Sequence, residues 1–254
     1  MKELNINVGT TVICGDWHQN MQYVTLLLDE LGYYGTTTII HVGDIGFMGR
    51  YRDRYINKLD ELLTSKGIML YFIEGNHEDY NWLGTLSIDD NNLGHVTNRI
   101  KHLPRGSQYL IQDKNYTFIG GGVSVDQNIR IKDKDWWAEE EVTPTQLVQY
   151  KQLAKTDVLV THDGPSSCTL PLPQTFFDPF LIHKSNLHRN ILEEIREALQ
   201  PSIIVFGHYH LPHSRKVDLD NKSVYFQALD CDGTDLEEGK QYRLLKDILT
   251  EGLN

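Results

Sequence analysis

Short apolar runs alternate with helix-like segments over residues 10–73 of the chain. The apolar and partly β-branched runs at residues 10–14, 37–42 and 68–73 predict buried strands. Between them, residues 21–31 and 51–65 repeat apolar positions three and four apart, which predicts two amphipathic helices. This β-α-β-α-β order is typical of a parallel sheet with crossover helices.

Further along the chain the pattern is less regular but still predicts elements. Residues 108–111 and 116–119 predict a hairpin around a turn at 112–115. A helix is expected to begin after Thr143, a typical N-cap residue, with Pro144 at its first position. The remaining patterns predict strands at 157–160 and 203–206, a helix at 187–199, and antiparallel strands at 216–218 and 223–229.

Two segments are predicted to be loops. Residues 164–179 contain four prolines, which disfavour regular structure. Residues 123–141 are rich in charge, and we expect an ordered surface loop there. Its tryptophans, Trp136 and Trp137, are interpreted as packing residues rather than as a platform for substrate.

The composition is that of an ordinary globular protein, with 40% apolar and 23% charged residues. No linker interrupts the 254 residues, so one α/β domain covering residues 1–254 is expected. No run of ~18 apolar residues occurs, and we expect no membrane span. Residues 1–11 contain one lysine and no apolar h-region, which predicts the absence of a signal peptide and a cytoplasmic location.

Charge and cysteine content narrow the classes of function. The chain has 24 basic and 35 acidic residues, a net charge of −11, which disfavours a broad nucleic-acid groove. A small phosphorylated ligand remains compatible with this charge if the positive charge is local. The three cysteines, Cys14, Cys168 and Cys231, cannot all pair and show no CxxC spacing, so no disulfide framework is expected.

The residues that directly follow five predicted strands are the most informative part of the sequence. Each strand is followed by aspartate, asparagine or histidine. In open α/β sheets, ligands bind at the carboxyl ends of the strands. The residues concerned are Asp16 and His18, Asp44, Asn76 and His77, His162, and His208 and His210.

These residue types predict a metal site. Carboxylate, amide and imidazole ligands without thiolate suit a hard-to-borderline divalent ion. Seven ligands exceed the needs of one ion and suit two ions about 3.5–4 Å apart that share a bridging carboxylate. Taken alone, each motif is more typical of a turn or a helix cap, and it is their joint occurrence that favours a metal site. The other histidines fit no metal spacing and are interpreted as surface or hydrogen-bonded core residues: His41, His95, His102, His183, His188 and His213.

The ordered motifs Asp-x-His, Gly-Asp, Gly-Asn-His-Glu, Thr-His and Gly-His-x-His resemble those of the calcineurin-like metallophosphoesterase family, over Asp16 to His210. The resemblance implies a four-layer αββα sandwich, with two mixed sheets flanked by helices and a di-metal site at the C-terminal strand tips. It implies that a first metal ion is held by Asp16, His18, Asp44 and His210. A second ion would be held by Asp44, Asn76, His162 and His208, so that Asp44 is the bridge. His77 would be the catalytic histidine and bind no metal.

A charge argument agrees with this resemblance. Two divalent ions, two carboxylate ligands and a bridging hydroxide leave the pocket close to one positive charge, which can hold a phosphate on an otherwise acidic protein. The ions also lower the pKa of bound water, so the bridging hydroxide can attack phosphorus in line while His77 assists the leaving group. Manganese is the metal expected first, and iron, zinc or nickel are compatible with the same ligands.

The sequence departs from one branch of the family. Protein serine/threonine phosphatases of this type carry an aspartate and an arginine three and four residues after the bridging aspartate, where this chain has Phe47 and Met48. A phosphoprotein phosphatase is therefore disfavoured. The chain looks closer to small bacterial and phage phosphodiesterase-like members, which residues 120–137 with Arg130 also resemble. Glu78 and Asp79 are the candidates for orienting His77.

Three hypotheses of different classes follow. The leading one is an enzyme that hydrolyses a phosphate ester, favouring a phosphodiester of a small nucleotide-like, including cyclic, substrate. The second is a nuclease on short or single-stranded nucleic acid, with Arg130, Lys132 and Lys134 in a local groove. The third is a scaffold that has lost catalysis, which the full set of ligand positions argues against. The sequence names neither the substrate nor the oligomeric state.

Overall fold

The computed structural model describes residues 1–171, 177–233 and 236–253. Its strands are β1 (Lys2–Glu3), β2 (Thr11–Cys14), β3 (Thr38–His41), β4 (Met69–Phe72), β5 (Gly94–His95), β6 (Ile100–His102), β7 (Ser107–Ile111), β8 (Lys114–Ile119), β9 (Val158–Thr161), β10 (Ile203–Phe206), β11 (His213–Leu219), β12 (Lys222–Ala228) and β13 (Tyr242–Leu244). The α-helices are α1 (Met21–Tyr33), α2 (Arg52–Lys66), α3 (Tyr80–Leu83), α4 (Pro144–Tyr150), α5 (Pro179–Leu199) and α6 (Leu245–Leu253).

The strands form two mixed sheets. The six-stranded sheet has the order β13-β2-β3-β4-β6-β5, in which β2, β3, β4 and β6 are parallel. The seven-stranded sheet has the order β1-β7-β8-β9-β10-β12-β11, in which β8, β9, β10 and β12 are parallel. Antiparallel neighbours, β13 and β5 in one sheet and β7 and β11 in the other, flank each parallel centre.

The two sheets face each other, and helices cover their outer faces. One apolar cluster lies between the sheets and includes Ile13 and Ile40 from one and Phe118 and Val160 from the other. A second cluster packs α1 and α2 on the six-stranded sheet, and a third packs α4 and α5 on the seven-stranded sheet. The expected fold class, two mixed sheets flanked by helices in an αββα arrangement, is confirmed.

Local sequence signals explain several element ends. Thr143 and Gln146 form a capping box at the start of α4, as the N-cap signal predicted. Helix α5 begins at Pro179 rather than at residue 187, because the Asp178 side chain accepts the N–H of Phe180 and Pro179 occupies the first position. Residues 172–176 of the predicted loop 164–179 lie outside the described residues.

The prediction of a surface loop at 123–141 needs correction. The segment contains two short 3-10 helices, Gln127–Ile129 and Ala138–Glu140. Val123, Trp137 and Glu140 are buried, and Arg105 donates hydrogen bonds to the carbonyls of residues 139–141. The interpretation of Trp137 as a packing residue is confirmed. None of the helices in the described part of the chain is long and apolar enough to cross a membrane.

Candidate metal centre

The carboxyl ends of five parallel strands, β2, β3 and β4 of one sheet and β9 and β10 of the other, bring the predicted ligands to one edge of the sandwich. Their donor atoms fall into groups in which all atoms lie within 4.8 Å of one another. One group contains Asp16, His18 and His210, and another contains Asp44, His162 and His208. The residues assembled at this edge are Asp16, His18, Asp44, Asn76, His77, His162, His208 and His210.

Asp44 belongs to the second group and also contacts the first. Its Oδ2 is 3.4 Å from His18 Nε2, and its Oδ1 is 3.4 Å from His162 Nε2. The carboxylate is buried. One oxygen therefore faces each group, which is the arrangement that a bridging carboxylate requires.

Asn76 and His77 are neighbours in sequence but face different parts of the site. Asn76 Oδ1 lies 3.0 Å from His162 Nε2 and so joins the second group. His77 Nε2 lies 3.9 Å from Asp44 Oδ2, and its ring forms a third group of potential donors with His18 and Asp44. The same nitrogen accepts a hydrogen bond from Arg130 Nη2 at 2.9 Å, so in this geometry His77 is directed toward Arg130.

The backbone that carries the candidate ligands is unusual. Asp16, His18, Asp44, His208 and His210 have φ values of 58°, 44°, 60°, 70° and 50°, all in the left-handed region. Side chains other than glycine adopt this region at a cost of about 1–3 kcal/mol, and such residues cluster at functional sites. After β2, β3 and β10 the chain thus turns sharply and directs polar side chains into the site.

Two glycines allow the carboxylates to pack closely. A Cβ atom at Gly75 would collide with Asp44 Oδ1, and one at Gly207 would collide with Asp16 Oδ2. Any larger residue at either position would therefore displace a candidate ligand. These glycines precede Asn76 and His208, so the same motif supplies both a ligand and the room for another.

Hydrogen bonds fix two of the imidazole rings from behind. His18 donates from Nδ1 to Asp232 Oδ1 at 2.9 Å, and His162 donates from Nδ1 to the Val42 carbonyl at 2.9 Å. The Nε2 atom of each ring faces the Asp44 carboxylate and is the nitrogen that could bind a metal ion once deprotonated, as in typical metal-bound histidines. Sequence analysis missed Asp232, which follows β12 without any motif that marks it.

The pKa values of the two candidate carboxylate ligands are shifted in opposite directions. Burial raises the pKa of Asp16, and the adjacent Asp44 carboxylate raises it further. For Asp44, burial acts in the same direction, but His162 and His77 hold its pKa well below the usual range. His162 lowers the pKa of both Asp16 and Asp44, so the ionised form of each carboxylate depends on nearby positive charge. Bound cations would add such charge.

The side chains present fit two divalent cations. Asp16 Oδ2 and His18 Nε2 are buried and have no hydrogen-bond partner, although such atoms are normally paired. Metal coordination would satisfy both atoms. Buried carboxylates, an amide oxygen and imidazole nitrogens are the donors that hard-to-borderline divalent ions prefer.

A cavity of about 380 Å³ opens onto these residues. Asp44, Asn76, His208 and His210 line it, together with His77. Apolar and cationic side chains also line it, including Val125, Phe177, Ile182, Arg130 and Arg189. A ligand in this cavity would therefore meet candidate metal ligands, arginine side chains and apolar side chains.

The two residues expected to orient His77 have other partners. Glu78 accepts backbone N–H groups of Asp44 at 3.1 Å and Gly46 at 2.8 Å, and Asp79 pairs with Arg52 at 2.8 Å. That expectation was therefore wrong, because Glu78 holds the backbone around Asp44 instead. Arg130 is the side chain that contacts the His77 ring.

Position 47 carries no polar function in this chain. Phe47 is buried, and its ring packs edge-on against Tyr55, Phe72 and Trp82. The aspartate found here in the phosphoprotein phosphatases is thus replaced by part of an apolar cluster.

The remaining six histidines belong to none of the metal-ligand groups among the described residues. His102 bonds Glu74 and His188 bonds Asp163, as expected for hydrogen-bonded core residues.

Comparison with known proteins identifies the family. The family model for calcineurin-like phosphoesterases matches residues 9–212. The chain belongs to the calcineurin-like phosphoesterase family and is a metal-dependent phosphoesterase, a hydrolase. The family uses a binuclear divalent metal centre and acts on phosphorylated substrates, and the groups at the strand tips could hold such ions.

Solved structures with the same fold are distant in sequence. The protein TT1561 of Thermus thermophilus is similar with a TM-score of 0.50 and 8% identity, covering 87% of this chain and 88% of its own. A dimetal phosphatase from Danio rerio has a TM-score of 0.49 and 11% identity, with 88% of each chain covered. No curated protein sequence matches this chain. The similarity to the Thermus protein concerns the fold alone.

Proposed function

We propose that this chain hydrolyses a phosphodiester of a small nucleotide-like substrate, linear or cyclic. The observation that supports this most is that Asp44, Asn76, His208 and His210 line one cavity of about 380 Å³ together with His77 and Arg130. The other three candidate ligands, Asp16, His18 and His162, lie in the same donor groups as these residues. A cavity of this size suits a small ligand, since small-molecule sites usually measure ~300–1,000 Å³.

In this proposal the ligands divide into two sets that share Asp44. The first set is Asp16, His18, Asp44 and His210, and the second is Asp44, Asn76, His162 and His208. Two divalent ions held there would supply a nucleophile from water and neutralise charge on the phosphate. Manganese is the ion we expect first, with iron, zinc or nickel as alternatives.

His77 and Arg130 would act on the substrate rather than on the metal ions. Arg130 has five N–H donors, and its one carboxylate partner among the described residues is Asp126, at 2.9 Å. A bound phosphate would attract the guanidinium away from His77 Nε2. The freed Nε2 could then take up a proton from water, favoured by the negative charge of the phosphate, and pass it to the leaving oxygen, or the protonated ring could stabilise the phosphoryl oxygens.

The rest of the substrate would lie against apolar side chains of the cavity. Val125, Phe177 and Ile182 offer carbon surface there. A flat organic group attached to the phosphate, such as a base, would bury apolar area there.

We also propose that residues 1–254 form one domain and that the protein works in the cytoplasm, as expected from the sequence.

A nuclease is the second candidate. Lys132 and Lys134 are exposed on the segment that carries Arg130, so a strand of nucleic acid could extend from the cavity over this cationic surface. The net charge of −11 opposes a long groove. A phosphoprotein phosphatase is disfavoured because Phe47 and Met48 replace its aspartate and arginine.

The test is a substrate screen with purified, Mn²⁺-loaded protein. We expect turnover of bis(p-nitrophenyl) phosphate and of at least one cyclic or linear nucleotide, and loss of turnover in Asp44→Asn. Degradation of single-stranded DNA or RNA, without activity on small diesters, would favour the nuclease. Absence of turnover with every diester would overturn the proposal.

A further inference from the structure

The side-chain amide of Asn76 has a correct and an incorrect orientation for metal binding. Its oxygen can coordinate a cation, whereas its NH2 group cannot. The two orientations have nearly the same shape, so packing alone does not select between them. Some polar neighbour must therefore hold the oxygen toward His162, where it lies 3.0 Å from Nε2.

A buried chain of hydrogen bonds provides this selection. Asn76 donates from Nδ2 to Ser124 Oγ at 3.1 Å, and the Ser124 hydroxyl donates to Glu140 Oε2 at 2.8 Å. The other carboxylate oxygen, Oε1, accepts the Ser124 backbone N–H at 2.8 Å and the indole N–H of Trp136 at 2.9 Å. Asn76, Ser124 and Glu140 are 4%, 1% and 0% exposed, so water does not compete for these bonds.

The direction of the chain is set at its carboxylate end. Burial raises the pKa of Glu140 to about 7, although the hydrogen bonds from Ser124 and Trp136 favour its ionised form. Above that pH the carboxylate only accepts hydrogen bonds, so the Ser124 proton is directed to Glu140. The lone pair of Ser124 Oγ is then left for a donor, and the NH2 group of Asn76 is the donor in reach. We propose that Glu140 is a positioning residue that, through Ser124, holds the amide oxygen of Asn76 toward the second metal ion.

This inference rests on the proposed role of Asn76 as a ligand. It also explains why a carboxylate lies buried at Glu140, where burial of an ionised group is costly unless its bonds are made. The residue is outside the cavity and contacts none of the groups that would touch substrate. Its effect would therefore be on the metal site rather than on the phosphate.

A double-mutant cycle tests the inference. In Glu140→Gln, the new NH2 group donates a hydrogen bond to Ser124 Oγ. The Ser124 hydroxyl can then no longer donate to residue 140, and its hydrogen points toward the NH2 group of Asn76, so that two donors face each other. We expect the weaker of two Mn²⁺ dissociation constants, measured by titration with electron paramagnetic resonance, to rise about 10- to 100-fold. The Asn76→Asp background provides the control, because a carboxylate presents an oxygen to the metal ion in either orientation. In this background we expect Glu140→Gln to leave the Mn²⁺ affinity unchanged or to improve it.

Two further variants separate positioning from folding. Trp136→Phe removes another donor to the same carboxylate but leaves the Asn76–Ser124–Glu140 chain intact, so its Mn²⁺ affinity should stay within about twofold of the parent. Ser124→Ala interrupts the chain without changing charge and should weaken Mn²⁺ binding, which provides the test if Glu140→Gln does not fold.

Three results would overturn the inference. The first is an equal loss of Mn²⁺ affinity in Trp136→Phe and in Glu140→Gln. The second is an equal loss of Mn²⁺ affinity from Glu140→Gln in the parent and in the Asn76→Asp background. The third is full Mn²⁺ affinity in Ser124→Ala. A different result bears on the proposed function: if Asn76→Ala binds two Mn²⁺ ions as tightly as the parent, Asn76 is not a ligand. The inference would then fail with that assignment.

Discussion

At the scale of single residues, His77 is the side chain whose role differs most from that of its neighbours. It follows Asn76 directly, yet its ring faces the cavity and Arg130. We predict that His77→Ala retains both metal ions and lowers kcat about 10²–10⁴-fold on a diester with a poor leaving group. The loss should shrink for nitrophenolate, which leaves without a proton. An equal loss on both substrates would assign charge stabilisation to His77, and a lost ion would make it a ligand.

Arg130 should contribute mainly to substrate binding. Its side chain is 10% exposed and lines the cavity. We predict that Arg130→Ala raises KM for bis(p-nitrophenyl) phosphate about 10- to 100-fold, the effect of losing a charge-assisted hydrogen bond to phosphate. Lys132→Ala is the matched control, because it removes the same charge from an exposed position of the same segment. Similar KM values in the two variants would contradict a direct contact.

The sequence predicted residues that carry recognisable motifs and missed those that support them. Asp16, Asp44 and His162 could be predicted because each directly follows an apolar strand. Asp232 and Glu140 could not, since they reach the site only through the folding of distant segments. The left-handed backbone at five candidate ligands was also beyond prediction, because tertiary contacts impose it.

At the scale of elements, a buried ion pair joins the end of β4 to the end of β6. Glu74 accepts from Arg105 Nε at 2.8 Å and from His102 Nε2 at 2.7 Å, and Arg105 also donates to the Glu139 and Glu141 carbonyls at 3.2 Å. The pair thus also holds the segment that carries Glu140. Although burial opposes ionisation, Arg105 and His102 lower the pKa of Glu74 from 4.5 to about 2.

This lowered pKa predicts a pH dependence of stability. A carboxyl group with a lower pKa in the folded state stabilises the fold above its unfolded pKa and loses that contribution as the pH falls from about 4.5 to about 2. Glu74→Gln should lose ~3–5 kcal/mol at pH 7, because Arg105 is left buried and unpaired. Urea unfolding between pH 7 and 3 should also show that the free energy of unfolding falls less steeply with pH in Glu74→Gln than in the parent. An unchanged slope would contradict the pair, and the exposed Glu197→Gln is the control.

Strong periodic patterns predicted elements well, and short or polar ones did not. The central strands β2, β3, β4, β9 and β10 lie within a residue or so of their predicted bounds. The first two turns of α5 were missed because prolines and polar residues mask a capped helix start. Strands of two or three residues, β1, β5, β6 and β13, are too short to show a period.

At the scale of the whole molecule, the site exists because two sheets present their carboxyl ends at the same edge. Helix α6 contributes Leu245 and Ile248 to the apolar cluster between the sheets. The fold therefore rests on apolar packing rather than on the ions. We predict that EDTA abolishes activity without changing the far-ultraviolet circular dichroism, and that thermal unfolding is one transition, as expected for one domain. Two separate transitions, or unfolding by EDTA, would contradict this.

The arrangement of the sheets could be inferred from the sequence only through family resemblance. Alternation of strands and helices predicts a parallel sheet, but it does not say that β2 and β9 belong to different sheets. That division depends on contacts between segments far apart in the chain. Strand tips, in contrast, were informative because every parallel strand ends on the same side.

The central claim is that Asp44 bridges two metal ions, and diffraction from Mn²⁺-soaked crystals at the manganese absorption edge tests it most directly. We predict two anomalous peaks per chain, about 3.5–4 Å apart, with one Asp44 oxygen on each. Asp44→Asn crystals treated in the same way should lose at least one peak. A single fully occupied ion with Asp44 unligated, or two ions retained in Asp44→Asn with full turnover, would contradict the account.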